Sequence, residues 1–260
     1  MSVVDDETAN RWLDAAKAGD LDTIRTMHAD GTIAVDPCVS RAKEGTDELK
    51  KDTALHLAAQ RGHVDVVSFL INKVKIPVDA LNDAGKTPLA NAASYAHSDT
   101  MEFLLGCGAD AAHKDRHGGM ALGEAIGGSL PSDDDDSFEK KKAAALILLR
   151  RGGDIKAVED SGWTAVHVAV DAGDVQMLSF VVQCGADPSA PEEDGITPLT
   201  FAVEDKKVDI VDMLLLTYRV RLETTNKKGE SVIYGAYKIA PLMQATLLQA
   251  YAQRTCSCIF

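Results

Sequence analysis

The chain repeats itself. "TALHLAA" at Thr53 returns as "TPLANAA" at Thr87, "MALGEAI" at Met120, "TAVHVAV" at Thr164, "TPLTFAV" at Thr197 and "SVIYGAY" at Ser231. The separations are 34, 33, 44, 33 and 34 residues. A unit of this length is too short to bury its own apolar face, so it must stack on copies of itself. That requirement excludes most compact folds before any other feature is read.

Other markers run in step with these anchors. Gly85, Gly118, Gly162, Gly195 and Gly229 each precede an anchor by two residues, and Gly62 and Gly173 follow theirs by nine. Gly-Ala-Asp occurs at Gly108–Asp110 and Gly185–Asp187, with Gly153-Asp154 a weaker copy. Glycine before the anchor permits the positive φ of a tight turn. The anchoring threonine suits a helix N-cap, and Pro88 and Pro198 suit a first helical turn. Leu and Ala then face inward, with Ala allowing close helix approach, and the later glycine can end a second helix in the left-handed conformation.

On these residues the sequence resembles the ankyrin-repeat family over nearly its whole length. The resemblance implies an all-α fold, an α-solenoid of helix-turn-helix pairs joined by β-turn fingers. Gly19 places a first repeat at Asn10, and Leu242 to Ala252 has the apolar spacing of a last helix, giving seven repeats with polar ends. The expected organisation is one repeat domain over 1–252 and a tail over 253–260. The glycine markers locate two insertions, near 35–50 between repeats one and two, and near 128–139 between the two helices of repeat four.

The formal charge of −13 makes nucleic acid and anionic lipid poor partners and favours a basic protein surface. With 45% hydrophobic but only 5% aromatic residues, the chain suits close-packed helices. The first residues lack the pattern of a secretory signal, and the strongest apolar run, Ala143 to Leu149, is too short to cross a bilayer. Five cysteines without paired-ligand spacing are read as reduced thiols, giving a cytoplasmic expectation with the nucleus as an alternative.

No catalytic or cofactor motif emerges, so the expectation is a non-enzyme with no cofactor and no metal. His56 and His167 share one repeat position, where the resemblance implies a hydrogen bond to the backbone between repeats. His63 and His97 follow the mid-repeat turn and are read as structural or exposed. Cys107 and Cys184 also share a position, as small residues at the core edge. "GCGADA" ends a helix instead of opening one, so it is not a dinucleotide loop. Asp133 to Asp136 lack the alternation and terminal Glu of a calcium loop and read as a solvated segment, with Ser132 and Ser137 beside it as candidate phosphorylation sites. In "RTCSCIF" the prenylation position holds Ser257, which leaves Cys256 and Cys258 as candidate S-acylation sites.

Ankyrin-repeat proteins bind other proteins through finger tips and the surface of the first helices. In this register those positions include Tyr95, Asp160, Trp163, Asp171, Glu193, Asp194, Ile196, Glu204 and Asp205, with Lys227 and Lys228 as a basic border. Repeats five and six should therefore present an acidic stripe centred on Trp163 and Ile196. Trp163 has two readings: an anchor offered to a partner, or a ring folded back onto the neighbouring finger. The expected function is a protein-interaction scaffold (adaptor, inhibitor or assembly chaperone), monomeric alone and partnered by a protein with a basic surface. Two alternatives are a membrane-attached adaptor with an acylated tail and a gankyrin-type proteasome assembly chaperone, which the repeat number resembles.

Overall fold

The computed structural model describes residues 6–31, 52–128, 130, 136–160 and 162–221, together with 225, 229 and 249. The first insertion, most of the seventh repeat and the tail lie outside these residues. The chain divides into two compact units, Met1–Asp154 and Ile155–Phe260. Among the described residues it is all-helical, with no strand beyond one isolated bridge between Lys114 and Met120.

The first unit holds four helix pairs: α1 (Asp6–Ala18) with α2 (Leu21–Ala29), α3 (Ala54–Gln60) with α4 (Val64–Phe69), α5 (Pro88–Ser94) with α6 (Ser98–Gly106), and α7 (Ala121–Gly127) with α8 (Ser137–Arg150). The second holds two: α9 (Ala165–Asp171) with α10 (Val175–Gln183), and α11 (Pro198–Glu204) with α12 (Val208–Asp212). Helices α4 and α12 each run on into a π-helical turn, Leu70–Val74 and Met213–Thr217. In the first unit α1, α3, α5 and α7 touch in series as one layer, and α2, α4, α6 and α8 as a second. In the second unit α9 contacts α11 and α10 contacts α12 in the same manner.

The repeat explains the layers. In each full repeat the second, fifth and sixth residues after the anchor are buried and lie on one helical face. They are Leu55, Ala58 and Ala59; Leu89, Ala92 and Ala93; Leu122, Ala125 and Ile126; Val166, Ala169 and Val170; and Leu199, Ala202 and Val203. The fifth position is Ala every time, and Ala58, Ala92, Ala125, Ala169 and Ala202 are each 0% exposed. A methyl is all that the gap between adjacent first helices admits, so the larger neighbours on that face supply most of the apolar area, each about 1.5–3 kcal/mol when fully buried.

Turns between the helices need a left-handed residue, and Gly62 (φ 75) and Gly173 (φ 68) supply it as expected. In repeats three and six the same position is held by Ala96 (φ 52) and Lys206 (φ 60). Part of the surplus of repeat four is helix. Helix α8 has 14 residues, where α6 and α10 have nine each, so the helix is lengthened at its N-terminal end. Ser137 is the first residue of α8; Ser132 lies outside the described residues.

The fingers close alike. The amide of Asn82, Asp115, Glu159 and Glu192 donates to the carbonyl four residues on, at Lys86, Gly119, Trp163 and Ile196, over 2.9–3.1 Å. Each finger thereby fixes the residue just before the anchor.

Candidate functional site

His56 and His167 tie one repeat to the next. The anchor residues Thr53 and Thr164 cap α3 and α9 reciprocally with the histidine Nδ1, 2.8 Å and 3.0 Å from the threonine Oγ1. Nε2 then faces a carbonyl of the following finger, Lys86 O at 2.9 Å and Ile196 O at 3.4 Å. A carbonyl only accepts, so Nε2 carries the proton and Nδ1 is the acceptor, which defines a neutral imidazole. Burial pushes both histidines below the ordinary value of 6.5, against the opposing pull of those carbonyls and of Asp52 and Glu192. The two rings lie in different units and serve equivalent structural roles. His63 and His97 act similarly one turn later, with Nε2 at 3.1 Å from Lys17 O and 3.0 Å from Gln60 O.

Among the described residues no cluster of three His, Cys, Asp or Glu could hold a metal ion. No described helix is long and apolar enough to cross a membrane. Cys107 is exposed and Cys184 half-buried, so the shared position is more open than a core edge in the first case. Asp133, Asp134 and Asp135 and the tail cysteines Cys256 and Cys258 lie outside the described residues.

The surface of the second unit carries the richest set of exposed groups. Asp160, Glu193 and Asp194 on the fingers and Asp171, Glu204 and Asp205 at the ends of α9 and α11 are all exposed. Between these sets lies an aromatic pair, Trp163 and Phe201, with centroids 5.4 Å apart at 77°. Trp163 also stacks beside His167 at 6.1 Å, and its Nε1 donates to Glu192 Oε2 at 2.9 Å. At the equivalent finger position Asn82 and Asp115 fold their short side chains back onto their own turns. Asn82 also reaches the preceding finger, donating through Nδ2 to Asp52 Oδ1 at 2.7 Å, and Glu192 makes the equivalent link by accepting from Trp163.

One expectation is thereby corrected, and for Trp163 the folded-back reading holds in the free chain. Ile196 is 5% exposed and is no tip residue. Its carbonyl faces Nε2 of His167 of the preceding repeat, and its apolar side chain packs inward. Trp163 is not free-standing either: it is half-buried and folded onto the next repeat through Glu192 and Phe201. In the first unit Tyr95 is half-buried, with its hydroxyl accepting from Gln60 Nε2 at 2.9 Å and its ring stacked beside His97. Lys227 and Lys228 lie outside the described residues.

The repeat register did not single out Phe201, Lys207 or Glu124. Glu124 receives both Lys86 Nζ and Ser94 Oγ, which ties together three first-helix and finger positions of the first unit. Lys207 lies over the Phe201 ring at 5.4 Å and pairs with Asp205 at 2.6 Å. A signal was present: Phe201 and Lys207 each depart from the residue type their repeat position carries elsewhere. The equivalents of Phe201 are Leu57, Asn91, Glu124 and Val168.

These paired helices, fingers and shared caps agree with a family model for ankyrin repeats (three copies), which matches residues 12–115 and 137–226. The chain belongs to the ankyrin-repeat family. The ankyrin-repeat fold is a protein-interaction module. Among curated relatives, the mouse B-cell lymphoma 3 protein homolog is 28% identical over 71% of this chain and 40% of its own length. The NF-kappa-B inhibitor cactus of Drosophila melanogaster is 31% identical over 76% of this chain and 43% of its own. The chain thus spans less than half the length of these relatives. Enzyme-named proteins match as well, including an L-asparaginase of Dirofilaria immitis, 25% identical over 77% of this chain and 30% of its own. The fold is that of the human ASB11 ankyrin repeat domain, with a TM-score of 0.69 at 22% identity over 92% of this chain and 96% of that one. The crystal structure of the Bcl-3 ankyrin repeat domain gives 0.60 at 22% identity, over 87% and 93%.

Proposed function

We propose that this ankyrin-repeat chain is a non-catalytic binding scaffold whose second unit captures a protein with a basic surface. The observation that carries this reading is the exposure of six carboxylates, Asp160, Asp171, Glu193, Asp194, Glu204 and Asp205, at equivalent finger and helix-end positions of two consecutive repeats. Stacking aligns equivalent positions, so these groups form rows on either side of the Trp163–Phe201 pair. The carboxylates steer a cationic partner, and the aromatic pair supplies desolvated contact area. Tyr95 is a separate candidate contact on the first unit, and Lys227 and Lys228 a basic border. The relative named as the NF-kappa-B inhibitor cactus supports a protein partner. In this reading the chain is one repeat domain over 1–252 with a tail over 253–260. It works in the cytoplasm or nucleus and is monomeric until it binds.

Charge reversal tests the reading. A Glu193→Lys/Asp194→Lys/Glu204→Lys variant should bind a partner purified on the native chain at least about tenfold more weakly, with an unchanged melting temperature. Affinity of the native chain should fall as salt is raised through the range where the Debye length drops below about 10 Å. Equal affinity of the variant and the native chain would remove this surface.

A further inference from the structure

The residue after the mid-repeat turn does the same job in two repeats and a different one in the sixth. His63 and His97 reach back to a carbonyl of the preceding repeat. In the fifth repeat Asp174 caps α10 through the Met177 amide. Lys207 does neither. Its ammonium turns onto the first-helix surface of its own repeat, 5.4 Å from the Phe201 centroid and 2.6 Å from Asp205 Oδ2. The ring beneath it is itself held at an angle by Trp163, which Glu192 fixes. A ring face and a carboxylate on one cation are the elements of a cation-recognition site, and here the chain's own lysine fills it.

We infer that Phe201, Trp163 and Asp205 form an arginine-accepting subsite, and that Lys207 is its resident occupant in the free protein, displaced when the basic partner binds. The inference rests on the acidic-face reading above and names the group that face selects. Asp205 keeps 43% of its side-chain surface, so water reaches the carboxylate, while Lys207, at 21%, gives up packing of its stem when it leaves. A guanidinium gains more than it displaces. It stacks flat on the ring and grips a carboxylate with two N–H groups, whereas an ammonium is a point charge. Glu204, next to Asp205 in the chain, and Asp171, at the equivalent helix end of the preceding repeat, are exposed carboxylates that disfavour an anionic side chain on this face.

The test uses the full chain and three fluorescent peptides, (Arg-Gly)4, (Lys-Gly)4 and (Glu-Gly)4, with affinities read by anisotropy. K207Q should tighten (Arg-Gly)4 binding about fivefold by vacating the ring. K206Q removes the same charge from the adjacent exposed position and should change affinity less than about twofold. F201L should weaken (Arg-Gly)4 and abolish the gain from K207Q, and (Arg-Gly)4 should bind more tightly than (Lys-Gly)4. Equal gains in K207Q and K206Q would overturn the displacement while leaving the acidic-face reading intact. Equal affinity for the Arg and Lys peptides would overturn the arginine assignment. Failure of the partner itself to respond to charge reversal would instead strike the underlying reading.

Discussion

The imidazole of His56 donates through Nε2 to the carbonyl of Lys86, thirty residues further along, while its other nitrogen faces the Thr53 cap. One side chain therefore ends its own helix and fixes the next finger. It can do both only while neutral.

That condition makes stability depend on pH. Burial holds His56, His167 and His97 below 6.5 in the folded chain, so folding favours their neutral forms. The contribution is complete above the unfolded value and is lost as pH falls through about 6.5 and on toward the folded values. The melting temperature should drop between pH 7 and pH 5. His56→Ala should cost about 2–3 kcal/mol at pH 7.5, from two lost hydrogen bonds and a cavity, and should reduce the pH slope. Chemical denaturation at the two pH values measures both.

Thr100 offers the opposite kind of change. It is 1% exposed and its Oγ1 has no hydrogen-bond partner. The equivalent second-helix positions hold Val66, Met177 and Ile210, all buried. Thr100→Val keeps the shape and removes a desolvated hydroxyl, so it should stabilise the chain by about 1 kcal/mol. A raised urea midpoint at unchanged slope is the expected result.

Ala96 and Lys206 occupy a left-handed turn that Gly62 fills in repeat two. Ala96→Gly should stabilise by roughly 0.5–1 kcal/mol, since release of the strain exceeds the added freedom of the unfolded chain. Gly62→Ala should do the reverse and more. A Cβ there would sit 2.7 Å from Nδ1 of His97, so the substitution strains the backbone and pushes away the histidine that reaches Gln60. The expected loss is about 2–3 kcal/mol by thermal or urea unfolding.

Trp163→Ala should lower stability as well as any binding. The indole covers Phe201 and donates to Glu192, so truncation removes a half-buried hydrogen bond and a ring contact, costing about 1–2 kcal/mol. Melting curves will show this in the free protein. For that reason Glu193 and Asp194, which are exposed, are the sounder probes of the surface.

Much of the fold was legible because it rests on residues that act within their own repeat. Thr53, Leu55 and Ala58 set a cap, a knob and a close approach from local spacing alone, and the period repeats them. The side chains that were misplaced or left open depend on the neighbouring repeat. Ile196 is buried beside the finger carbonyl that faces His167, and Trp163 is folded with its indole N–H on Glu192 of the next finger. Neither fact is contained in the anchor register. Spacing puts the surplus of repeat four near 128–139, but it does not say that Phe138 to Lys142 continue the helical pattern of α8.

The lengthened α8 has a practical corollary. Roughly one and a half extra turns stand at its start, compared with the nine-residue helices α6 and α10. The stack evidently tolerates added length at this point without a compensating change in its neighbours' buried faces. A fluorophore, an affinity handle or a small folded domain could be grafted there as a reporter, leaving the fingers and the acidic rows of the other unit chemically untouched.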